Sequence, residues 1–170
     1  MKKISIIIPF FNEDEGVNQF FAELNAELFM LKEYSFELVL VDDGSDDQTL
    51  RCLKDLKVND VMNVSIIELS RNFGKEAALT AGIQNCTGDA VIFMDSDLEH
   101  PPKTIKRMLD KWEEGYDVVL GKRISRENET ILKRFGFKTF YWIYNKILQF
   151  KHYPGVGEFR LMNRVSIEAL

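Results

Sequence analysis

From Ile4 to Leu120 the chain alternates short, almost wholly apolar runs with longer stretches whose apolar residues recur at helical spacing. No other feature narrows its possible folds as far. The runs Ile4–Pro9, Phe36–Val41, Val64–Leu69, Ala90–Met94 and Asp117–Leu120 are too short for buried helices, and most are rich in β-branched residues, which predicts strands. Between them, Glu15–Leu31 (Val17, Phe20, Phe21, Leu24, Leu28, Leu31), Asp46–Lys57, Lys75–Cys86 and Lys103–Glu114 predict helices. Strands apolar on both sides, alternating with helices, imply a mostly parallel sheet flanked by helices, so the expected class is α/β. The 170 residues contain no repeat, low-complexity segment or Gly/Ser-rich linker, and predict a single domain.

Composition excludes several classes. With 45% hydrophobic and 29% charged residues, the chain can bury a core and is not disordered. A net charge of -5 weighs against a nucleic-acid partner. The charge is uneven, however: Lys122 to Lys151 holds eight Lys/Arg against Glu127 and Glu129. That reversal predicts a basic patch suited to an anionic ligand or lipid headgroup. Cys52 and Cys86 form no CxxC pattern and read as reduced cysteines of a cytosolic chain. Met1-Lys-Lys leads at once into a short apolar run without a cleavage site, and no run approaches the roughly 20 apolar residues of a membrane span. The expected chain is soluble.

In open parallel sheets, ligands bind beyond the carboxyl ends of the strands. Here those ends read Pro9-Phe-Phe-Asn-Glu13, Val41-Asp-Asp-Gly-Ser45, Ser70-Arg-Asn-Phe-Gly-Lys75 and Asp95-Ser-Asp97. Neither GxGxxG nor GxxxxGK[ST] is present, so the dinucleotide and P-loop readings lose their main support. Asp95, Asp97 and Glu99 crowd three carboxylates into five positions, which solvent must screen or a cation neutralise. A lone DxD can also cap the following helix. With prolines at 101 and 102, however, His100 or Glu99 is the expected cap, and an extended chain puts Asp95 and Asp97 on one side. Mg²⁺ is commonly held by one or two such carboxylates plus substrate phosphates, so a metal-bridged diphosphate fits better. Asp42-Asp43-Gly44-Ser45 also reads as a plain turn. Arg123 and Arg126 read either as solvated surface or as forks onto phosphate. The stretch FGFKTFYWIYNKILQF, Phe135–Phe150, winds into a helix with one broad apolar face, either core or interfacial.

At these residues the chain resembles the family 2 inverting glycosyltransferases of GT-A fold. The likeness lies in SIIIPFFNE, VLVDDGSDD, LSRNFGKEAALTAG, GDAVIFMDSDLEHPP, GYDVVLGKR and GEFRLMNR, in that order from about residue 4 to 164. Within the family it is most similar to the polyprenyl-phosphate sugar transferases, of dolichol-phosphate mannosyltransferase or undecaprenyl-phosphate glucosyltransferase type. The resemblance implies transfer of a hexose from a UDP- or GDP-sugar, UDP-glucose favoured, to a polyprenyl phosphate. The work would be done by a peripheral enzyme on the cytoplasmic side of a membrane. It implies that Pro9, Phe11, Glu13 and Asp42 line the nucleoside pocket. Lys75, Asp95, Ser96, Arg123 and Arg160 join them around the ribose and diphosphate. Asp97 holds Mg²⁺ or Mn²⁺ with Asp95 and Glu99 beside it, and Asp97, Arg126 and Glu158 carry the chemistry.

Two departures stand out: Glu99 where the family usually has Gln, and Glu158 where it has Asp. The family also continues beyond this length. The expected division is a nucleotide-binding half to about residue 121 and an acceptor-side segment from 122 to 170, cut short relative to the family. Two alternatives stay open: transfer to a sugar hydroxyl in polysaccharide or lipopolysaccharide synthesis, and a short nucleotide-sugar-binding module without turnover.

Overall fold

The computed structural model describes residues 1–56, 62–122 and 156–169. Six strands occur among them: β1 (Lys2–Phe10), β2 (Tyr34–Asp42), β3 (Met62–Glu68), β4 (Ala90–Phe93), β5 (Val118–Lys122) and β6 (Val156–Asn163). Five helices join them: α1 (Val17–Met30), α2 (Thr49–Lys54), α3 (Lys75–Asn85), α4 (Thr104–Glu113) and α5 (Arg164–Glu168). The strands make one sheet in the order β3-β2-β1-β4-β6-β5. β1 pairs in parallel with both β2 and β4, and β2 with β3, whereas β6 runs antiparallel between β4 and β5.

The apolar runs are continuous because both faces of the sheet are covered. Ile4, Ile6, Ile8 and Phe10 of β1 point into one core with Phe20 and Leu24 of α1 and Ile105 and Leu109 of α4. Ile7, offset by one residue, points into a second core with Val39, Val91, Ala78 and Leu79. Helix α3 can lie close to the sheet because Gly82 has no side chain. A Cβ there would stand 2.4 Å from Ile7 Cγ2.

Three local expectations are corrected. Helix α2 begins at Thr49, not Asp46, because Asp47 Oδ1 accepts the Thr49 N–H at 2.8 Å and turns the chain first. Helix α4 begins at Thr104 with Lys103 as its cap residue, so neither His100 nor Glu99 caps it. The strand β6 was not anticipated. Its Phe159 and Leu161 enter the first core while Met162 enters the second.

At the amino-terminal edge of the sheet, Glu37 accepts bonds from Lys3 Nζ at 2.8 Å, Ser5 Oγ at 2.6 Å, and Thr87 N and Oγ1 at 2.8 and 2.9 Å. Burial alone would raise this carboxyl, but the four bonds outweigh it and hold the pKa down to about 2. Arg164 closes the same edge by donating from Nε to the Gly88 carbonyl at 2.9 Å. Cys52 and Cys86 are both free thiols. Among the described residues, no helix is long and apolar enough to cross a membrane.

Candidate functional site

The carboxyl ends of β1, β2 and β4 open onto a cleft of about 310 Å³. It is lined by Pro9, Phe10, Phe11 and Glu13 after β1, by Asp43 after β2, by Asn72, Gly74 and Lys75 leading into α3, and by Asp95, Ser96 and Asp97 after β4. A larger hollow of about 380 Å³ beside α1 is lined mainly by apolar groups such as Phe21, Leu24 and Met62, with Asp55 the one acid among the described residues that line it.

Two exit loops are laced together to place Glu13. The Asn12 N–H donates to Ser45 Oγ at 3.0 Å, Asn12 Oδ1 accepts the Asp46 N–H at 3.0 Å, and the Glu13 N–H donates to Thr49 Oγ1 at 2.7 Å. Asn12 adopts a φ of 54°, a left-handed conformation that asparagine tolerates better than most residues. Burial raises the Glu13 pKa, and the nearby Asp97 and Asp47 charges push it further up. The cleft therefore holds carboxylates that repel one another.

The DxD segment is not extended. The chain leaves β4 after Phe93, turns at Ser96–Asp97 and passes through Leu98 at a φ of 58°. Asp97 Oδ1 accepts the Glu99 N–H at 2.9 Å, and Asp95 Oδ1 pairs with Lys75 Nζ at 2.6 Å. Among the described residues no three His, Cys, Asp or Glu side chains converge as a metal-binding group. Asp95, Asp97 and Glu99 thus form no ready-made cage: the turn carries the chain on to an exposed Glu99, and Lys75 engages Asp95. What remains fits a cation taking one or two carboxylates here and the rest of its oxygens from a phosphate ligand.

Asp42, 1% exposed, is not among the residues lining the cleft but immediately precedes Asp43, which is; its Oδ2 accepts the Ser45 N–H at 3.3 Å. Its Oδ1 is buried without a hydrogen-bond partner. A buried acceptor left open costs free energy unless a ligand supplies a donor.

Of the residues expected from the sequence, Pro9, Phe11, Glu13, Lys75, Asp95, Ser96 and Asp97 line this one cleft. Arg160, one strand over, lays its guanidinium 4.9 Å from the Phe93 ring centroid, with Nε buried and unpartnered. Glu158 belongs to β6, its side chain outside the described set. Arg123, Arg126 and Phe135–Phe150 lie outside the described residues, as does nearly all of the basic stretch. Phe10, Asp43, Asn72 and Gly74 also line the cleft and were not singled out from the sequence, although all four lie in the strand-end stretches or next to them. The adjacency of Asp43 to Asp42 was the available signal.

The profile described as Glycosyl transferase family 2 matches residues 5–170. The chain is 44% identical over 168 residues to an uncharacterized glycosyltransferase of Synechocystis sp., covering 99% of this chain and 52% of that protein. It is 43% identical over 166 residues to the bactoprenol glucosyl transferase of Shigella phage SfX, covering 98% and 54%. The chain thus spans about half the length of the relatives it matches. Among solved structures it is similar to S. aureus TarS 1-349 in complex with UDP, at a TM-score of 0.61 and 26% identity, covering 76% of this chain and 38% of that one. It shares the fold of a mannosyltransferase from Pyrobaculum calidifontis in complex with GDP-Man and Mn²⁺, at a TM-score of 0.68 and 19% identity, covering 99% and 46%.

Proposed function

Since the chain belongs to glycosyl transferase family 2, we propose that it transfers a hexose, glucose by preference, from a uridine diphosphate sugar to a polyprenyl phosphate at the cytoplasmic face of a membrane. The observation that carries this reading is the open Oδ1 of Asp42, a buried acceptor one residue before Asp43 of the cleft that also holds Asp95 and Asp97. A nucleoside base brings the N–H group that this oxygen lacks. A diphosphate reaches across to the Lys75–Asp95 pair. The name of the phage relative supports the lipid acceptor, and the UDP complex of TarS supports the nucleotide.

In this reading Phe11, 42% exposed at the cleft wall, offers its ring to the base. Lys75 and Asp95 orient the diphosphate, with Arg160, Arg123 and Arg126 available to its oxygens or to the acceptor phosphate. The bond from the anomeric carbon to the leaving diphosphate oxygen breaks as an acceptor phosphate oxygen attacks from the opposite face, inverting the configuration. A phosphate monoester has a second pKa near ~6, so the acceptor arrives ionised at neutral pH and no residue need take its proton. Glu158 would then orient the acceptor rather than deprotonate it. A Mg²⁺ or Mn²⁺ ion on Asp97, with Asp95 and Glu99 nearby, would supply charge neutralisation at the departing diphosphate.

Calorimetric titration of UDP and GDP with and without Mn²⁺, on the wild type and on Asp97→Ala, tests the donor site. Metal-dependent binding of UDP, lost in the variant, is the expected result. If neither nucleotide binds under any condition, the enzyme reading is withdrawn for this chain. With donor binding in hand, offering undecaprenyl phosphate and a saccharide acceptor in parallel with labelled UDP-glucose separates lipid transfer from transfer to a hydroxyl. Label reaching neither acceptor leaves a nucleotide-sugar-binding module.

A further inference from the structure

Asp42 and Asp43 are adjacent, yet their carboxylates meet different surroundings. Asp42 keeps one oxygen open, whereas Asp43, 3% exposed, commits both. Asp43 Oδ1 accepts the Phe73 N–H at 2.8 Å and Oδ2 accepts the Gly74 N–H at 2.9 Å. Two consecutive backbone donors on one carboxylate fix both the position and the direction of the chain that carries them. That chain runs directly into α3: Gly74, at a φ of 94°, is the residue before the helix, and Lys75 is its first residue. A carboxylate here also lies at the favourable end of the helix dipole.

The two loops touch along their backbones as well. Gly44 has a φ of 67°, and a Cβ there would stand 2.3 Å from the Arg71 carbonyl carbon. No side chain at position 44 could sit between the β2 exit and the loop before α3. Asp43 itself is anchored from behind, its N–H donating to the Phe10 carbonyl at 2.8 Å. A continuous path thus leads from the end of β1, through Asp43 and the 72–74 backbone, to Lys75 and across the cleft to Asp95.

We infer that Asp43 is a positioning residue: it clamps the loop ahead of α3 and so sets Lys75 against Asp95. This rests on the nucleotide-sugar reading of the cleft only for its functional consequence; the clamp itself is a matter of geometry. The division of labour within Asp42-Asp43 follows. In the nucleotide-sugar reading one carboxylate keeps an oxygen for the ligand, and its neighbour holds the loop ahead of α3.

The test uses labelled chain and Asp43→Asn, which retains one acceptor oxygen and turns an amide N–H₂ towards the second donor. Amide exchange at Phe73 and Gly74 accelerates in the variant, and the Lys75 side-chain resonances lose the shift caused by Asp95. The UDP–Mn²⁺ dissociation constant rises about 10- to 100-fold, the range seen when a residue supporting a site's ligands is lost. In a Lys75→Ala background the same substitution changes that constant by less than about 3-fold, because it acts through Lys75. Unchanged exchange at both amides, or effects of the two substitutions that multiply, overturns the proposal. Asp43→Glu, which keeps the charge but displaces it, is read in the same way should Asp43→Asn fail to fold. If the wild type binds no nucleotide, the donor reading fails by itself, and the exchange and Lys75 measurements still decide on Asp43.

Discussion

Glu37 and Asp42 lie on the same strand and meet burial in opposite ways. Glu37, 12% exposed at its side chain, receives four hydrogen bonds and is held down to about 2. Its folded pKa lies below the ordinary 4.5, so its stabilisation is present in full above pH 4.5 and is lost as pH falls through 2. A shift of that size corresponds to on the order of 3 kcal/mol. Urea unfolding across a pH series should show the wild type losing stability through that acid window. Glu37→Gln should be weaker by roughly 2–3 kcal/mol at neutral pH and nearly flat through the window. A variant that tracks the wild type at every pH would mean the network contributes nothing. Asp42 shows the converse, a buried acceptor with one oxygen left without a partner. Residue types at the site were legible in the sequence because chemistry restricts them: Asp95, Asp97, Glu13 and Lys75 could be named. The clamp at Asp43 was not, since its partners are backbone N–H groups some thirty positions on, and backbone donors carry no sequence signature.

Among the elements, the parallel strands could be read because burial on both faces makes nearly every position apolar. Strand β6 could not, because Gly157, Glu158 and Arg160 break up its apolar run and its pairing partners lie far away in the chain. Helix α3 was legible for a different reason: small residues at Ala78 and Gly82 announce close packing. Gly82→Ala should therefore destabilise the fold although alanine is the better helix former. Overpacking against the stiff Ile7 side chain costs about 1–3 kcal/mol and helix propensity returns about 1, for a net loss of up to about 2 kcal/mol. Chemical denaturation measures it directly; a gain in stability would show that α3 can lift off β1 without penalty.

For the whole molecule, the chain belongs to glycosyl transferase family 2 and spans about half the length of the relatives it matches. In the proposed reaction a lipid acceptor must be engaged at a surface, for which the Phe135–Phe150 sequence is the candidate. In a Trp112→Phe background, spin-labelled anionic vesicles should quench Trp142; no quenching removes that segment as the membrane contact. Local sequence determined the alternation of strands and helices, the edge on which acidic and glycine-bearing loops would gather, and which carboxylates they would bring. These follow from periodicity and side-chain type, properties each segment carries by itself. Only the tertiary structure decided that Asp43 would bind the loop ahead of α3, that Asp95 would pair with Lys75 and Asp97 would not stand beside it on an extended chain, and that a reversed strand would enter between β4 and β5. Each of these depends on backbone groups and strand edges brought together from distant parts of the chain, and a hydrogen bond to a backbone leaves no mark on the residue that donates it.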